Sequence, residues 1–111
     1  MNLERLEYYS EYFNKRKGRS NQMIPCAIIT DDRNKAINLM KDKKIVKKIE
    51  REDYVAWLLD NGEQWIWQRW NKHFLGRRFY KIIVDKNITD EVFDLLVLPC
   101  AAGFCCSMEI I

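Results

Sequence analysis

Proline and glycine are scarce in this sequence, with two prolines and four glycines in 111 residues. That leaves no room for a long flexible linker and excludes collagen-like and low-complexity chains. His73 is the only histidine, so a histidine-rich metal centre is excluded. No apolar run approaches the roughly 20 residues that a membrane-spanning helix needs. The opening Met1-Asn2-Leu3-Glu4-Arg5-Leu6-Glu7 carries acid where a secretory signal is basic and then apolar. These absences lead us to expect a cytoplasmic protein with no membrane segment. Its four cysteines are then reduced.

What is present points to a folded chain. Hydrophobic residues make up 48% and charged residues 32%, which excludes disorder. The length suits one domain spanning residues 1–111. Nineteen basic against sixteen acidic side chains give a net charge of +3, but unevenly. Arg69 to Lys81 holds five basic residues and no acid, whereas Asp85 to Asp94 holds four acids and one lysine.

Apolar spacing over residues 3–13 predicts a short amphipathic helix. Residues 14–21 read as a polar, basic loop. Ile24 to Thr30 reads as a buried strand with Pro25 at its start. Asp31 and Asp32 read as caps for a helix from about Arg33 to Asp42. Lys43 to Ile49 fits a strand or an extension of that helix. Asn61-Gly62, between Glu52–Leu59 and Gln64–Trp70, is the strongest hairpin signal in the chain. Phe79 to Asp85 predicts a strand. Thr89 caps a helix from Asp90 to about Leu98 that Pro99 is expected to stop, and Ser107 to Ile111 closes with a strand. The order implies an α/β fold: a single small domain, a mixed β-sheet with a central hairpin, and two or three helices.

Several of these segments together resemble a known family. Lys15-Arg16-Lys17-Gly18-Arg19-Ser20 holds Gly-Arg-Ser where a phosphate loop has Gly-Lys-Ser. Asn61-Gly62, then Leu75-Gly76-Arg77-Arg78, then Ile82-Ile83-Val84-Asp85 resembles the ATPase core of phage large terminases and related helicases. Ile28-Ile29-Thr30-Asp31 is similar to the strand that follows the phosphate loop. The resemblance covers about residues 14 to 100. It implies phosphate contacts from Gly18, Arg19 and Ser20, with magnesium held by Asp85. Three positions depart from the family pattern. Phe13 stands at the first loop glycine, Arg19 at the lysine, and Lys86 at the glutamate that orients water. The departures imply a shortened relative that kept the scaffold and lost the hydrolysis.

Four tryptophans crowd residues 57–70. On a strand, Trp65, Trp67 and Arg69 share one face, and Ile66, Gln68 and Trp70 the other. One face packs the core, and the other is expected to display a tryptophan beside basic residues. Tryptophan and arginine dominate protein interface hot spots. The basic stretch 69–81 with its aromatics also suits nucleic acid. Cys100, Cys105 and Cys106 lie just outside zinc-ligand spacing, and their neighbours suit buried, inert thiols. No nucleophile–base grouping stands out.

These features lead us to expect a non-enzymatic protein of phage or mobile-element origin that docks on a host protein, as an anti-defence inhibitor does. Its surface is expected at Trp65, Trp67, Arg69, Arg77 and Arg78, without metal or cofactor. The alternative is a remnant of a phosphate-loop ATPase that binds nucleic acid or a magnesium-nucleotide. A homodimer through an exposed sheet edge is also open.

Overall fold

In a computed structural model, which describes residues 2–15, 24–69, 78–101 and 105–111, the apolar run Ile24–Ile29 forms an interior strand, β1. Its pleat buries both faces. Ala27 and Ile29 enter one core cluster, while Cys26 and Ile28 enter the other. Before it, α1 spans Leu3–Asn14, with Asn2 Oδ1 accepting the Glu4 N–H. After it, α2 spans Arg33–Met40. Asp32 caps this helix as expected, accepting from the N–H groups of Asn34 and Lys35. The Lys43–Ile49 ambiguity resolves to a strand, β2, over Ile45–Glu50.

The hairpin is β3, Tyr54–Leu59, and β4, Glu63–Gln68. Gly62 turns it with φ 89°, a conformation that costs any other residue a steric penalty. Asn61 Oδ1 accepts the Glu63 N–H at 3.0 Å and fixes the turn from its other side. β5 covers Lys81–Val84 and β6 covers Ser107–Ile110. The sheet order is β2-β3-β4-β1-β5-β6. β4, β1, β5 and β6 run parallel, while β2 and β3 add antiparallel pairs. The chain is an α/β fold on a mixed sheet, as the element order implied.

Pro99 does not stop its helix. α3, Asp90–Val92, passes into a π-helical segment, Phe93–Val97, and continues as α4, Leu98–Ala101. A proline ring normally clashes with the carbonyl one turn earlier. The wider π turn just ahead opens that space.

The helices divide between the two faces. α1 and the π–α4 segment pack on one, with Leu6, Phe13, Phe93 and Val97 against Ile29, Ile82 and Met108. α2 packs Ala36 and Met40 on the other, against Trp57, Trp65 and Trp67. Trp65 is 5% exposed and Trp67 is 0% exposed. The expectation of a displayed Trp65 and Trp67 is therefore corrected, because the α2 layer covers the face they occupy. Trp67→Ala should then lower stability by about 3–5 kcal/mol, whereas exposed Arg69→Ala should change it by less than about 1 kcal/mol. Urea unfolding of both variants checks the difference.

Candidate functional site

Parallel strands that send their connections to opposite faces leave a crevice at their carboxyl ends, where α/β sheets bind ligands. β1 and β5 are such a pair. The chain leaves β1 for α2 on one face, and leaves β5 for α3, the π segment and α4 on the other. Among the described residues three polar side chains are buried, and two of them lie at this point, Thr30 at 0% and Asp85 at 4% exposure.

Thr30 Oγ1 donates to Asp85 Oδ2 at 2.7 Å, and the same oxygen of Thr30 accepts the Asp32 N–H at 3.1 Å. Lys35 Nζ, on the first turn of α2, reaches Asp85 Oδ2 at 3.0 Å. Asp85 Oδ1 accepts the Asn87 N–H at 2.9 Å. The Trp67 indole N–H donates to the Thr30 carbonyl at 2.8 Å. Burial pushes the Asp85 carboxyl up, but the bonds from Thr30, Asn87 and Lys35 outweigh it and hold it below its usual range. Both carboxylate oxygens thus have donors, and a divalent cation at Asp85 Oδ2 would have to displace the Thr30 hydroxyl or the Lys35 ammonium. Among the described residues no group of three His, Cys, Asp or Glu is placed to hold a metal. Gly18, Arg19 and Ser20 lie outside the described residues, so only Asp85 of the phosphate-site set can be placed.

A second polar cluster lies at the opposite ends of the strands. Glu63 opens β4 and Lys81 opens β5; their side chains pair, and Glu63 Oε1 also accepts the Trp65 indole N–H at 3.0 Å. Burial raises the Glu63 carboxyl, yet Lys81, Trp65 and Asn61 together hold it low. Lys43, Ser107 and Glu109 join this pair around a cavity of about 240 Å³. No spacing in the sequence foretold it, since 18 residues separate Glu63 from Lys81.

The remaining candidates scatter. Arg69 is exposed and clipped to Asp53 at 2.7 Å, with its guanidinium 5.8 Å from the Trp67 ring centre. Arg78 is exposed and donates to the Pro99 carbonyl at 3.0 Å. Arg77, like Lys72 and His73, lies outside the described residues. Cys26, Cys100 and Cys105 are buried thiols, and burial pushes the Cys26 thiol up to about 12. That thiol is a packing group, not a nucleophile.

The surface that sequence reasoning missed is the reverse side of the hairpin. Tyr54, Ala56 and Leu58 belong to neither core cluster. With Lys47, Ile49, Gln64 and Ile66 they line a shallow groove of about 310 Å³. The signal was in the alternation of β3: Val55, Trp57 and Leu59 are buried, so Tyr54, Ala56 and Leu58 must face away. Their apolar character on that side is the anomaly.

The chain matches no family model, no curated protein and no solved structure.

Asp85 titrates lower in the folded chain than unfolded. Its latch therefore contributes stability above about pH 4 and loses it as pH falls through the lower folded value. Asp85→Asn should cost about 2 kcal/mol at neutral pH and flatten part of the acid dependence of unfolding. An asparagine variant as stable as the wild type would contradict the latch.

Proposed function

We propose that the chain is a binding protein that docks on a protein partner through the uncovered face of β2, β3 and β4. The observation that carries this reading is the half-buried apolar stretch of Tyr54, Ala56 and Leu58, which belong to neither core cluster and line the groove with Ile66, itself packed against the edge of one cluster. Contiguous apolar surface of this kind marks interaction sites. Ala56 sits between larger neighbours, so a side chain of the partner enters there. Lys47 borders the groove on one side, and Arg78 borders the adjoining hollow beside Tyr54 and Ile66. That basic rim favours a partner whose apolar ridge is flanked by acids.

This moves the docking surface from the Trp65 and Trp67 face to the opposite one. Arg69 and Lys81 each face a carboxylate, which leaves less free charge for nucleic-acid phosphates and favours protein. The resemblance to terminase-type ATPase cores supports a phage or mobile-element origin and a host protein as the target. Docking takes place in the cytoplasm, where the four thiols stay reduced. No helix among the described residues is long and apolar enough to cross a membrane.

A magnesium-nucleotide reading keeps one observation, the position of Asp85 in the crevice between β1 and β5. The Lys35 ammonium on that carboxylate weighs against it. A rise in Tm with magnesium-ATP that Asp85→Asn abolishes would reverse the preference.

Ala56→Glu should leave Tm nearly unchanged and abolish capture of the host proteins that wild type retains. Arg69→Ala should retain them. Undiminished capture by a folded Ala56→Glu protein would overturn the assignment.

A further inference from the structure

α2 packs over the tryptophans of β3 and β4 and over Cys26 and Ile28 of β1, while β6 lies at the sheet edge beyond β5. Met108 of β6 is buried in the opposite cluster, so its neighbours Ser107 and Glu109 point to the α2 side. There they stand beside their β5 partners Lys81 and Ile83. The gap between the flank of α2 and β6 is the cavity of about 240 Å³ around Glu63 and Lys81. A second hollow of about 240 Å³ shares Leu39 with it and extends to Asn38 and Ile111. The two make a groove that is polar at one end and apolar at the other.

The charges of this groove fall into two sets. Glu63 and Lys81 neutralise each other, with the Trp65 indole N–H on the same carboxylate. Lys43 and Glu109 are exposed at the rim, and among the described residues neither side chain has an ion-pair or hydrogen-bond partner. Two opposite charges thus line one cavity without pairing, and Leu39, Met40 and Ile83 supply an apolar wall.

We propose that this groove binds a free α-amino acid with an apolar side chain. Lys43 and the Ser107 hydroxyl donate to its carboxylate, Glu109 accepts from its ammonium, and its side chain lies along Leu39 toward Ile111. The lining selects this class. A simple anion would meet Lys43 but also Glu109, and a simple cation would meet Glu109 but also Lys43. With two ammonium groups and two carboxylates the lining is neutral, and a ligand that carries both charges satisfies both rim groups. Such charge-assisted hydrogen bonds are about twice as strong as neutral ones. The cavity is smaller than the roughly 300–1,000 Å³ of drug-sized pockets, which suits a ligand of this size. The groove opens on the opposite side of the sheet from Tyr54, Ala56 and Leu58, so it stands even if no protein docks there.

Titration calorimetry of the full chain with L-leucine tests it. Leucine should bind with a Kd of about 1 mM or tighter. Leucinamide, which lacks the carboxylate, and 4-methylpentanoate, which lacks the ammonium, should each bind about tenfold or more weakly. Lys43→Met should lose the preference for leucine over leucinamide, and Glu109→Gln the preference over 4-methylpentanoate. Both variants should keep the wild-type Tm, because both side chains are exposed. No binding of leucine at about 10 mM would overturn the proposal. So would equal binding of leucine and its two analogues, or folded variants that keep both preferences.

Discussion

Among the described residues, the hydrogen bond from Thr30 to Asp85 holds the centre of the sheet together. Thr30 follows β1, a strand with parallel neighbours on both sides. Its hydroxyl holds β5 through Asp85 and meets α2 at the Asp32 N–H, while its carbonyl receives the β4 indole of Trp67. Three strands and a helix thus converge on one buried residue. A buried polar network is favourable only when each member is satisfied, and Lys35 and the Asn87 N–H supply what Asp85 still lacks. The same latch fills the crevice where an α/β sheet binds ligands. Holding the fold together and binding a cation at Asp85 are therefore competing uses of one carboxylate.

The consequence is a sheet of two unequal halves. β1 and β5 are buried on both faces, and β6 has its edge capped by α1. Among the described residues, the buried apolar side chains of β3 and β4 belong to the α2-side cluster, and all six residues of β2 are exposed. The other side of these strands holds apolar residues in contact with water, which a folded chain keeps only at a cost of about 25 cal/mol per Å² relative to burial. A partner that covers this side recovers that energy without rearranging the core.

Much of the fold was legible where local chemistry decides. Asn61-Gly62 demanded the hairpin, Asp32 the start of α2, and the β-branched Ile28-Ile29 and Ile82-Ile83-Val84 runs the interior strands. The site was less legible because it depends on which layer covers which face. β4 offers apolar residues on both sides, with Trp65 and Trp67 on one and Ile66 on the other, and only the placement of α2 buries the tryptophans. Lys35 and Thr30 gave no motif, since their meeting with Asp85 spans 50 and 55 residues of chain. Pro99 misled for a local reason. The π turn that lets the helix pass it has no recognised sequence signature.

Amide hydrogen exchange, measured residue by residue in dilute solution, tests the division of the sheet most directly. Amides of Ala27 to Ile29 and of Ile82 to Val84 should exchange only through global unfolding, while those of β2 should open at far lower free energy. Equal protection across all six strands, or a slowest-exchanging core in β2 and β3, would contradict the account.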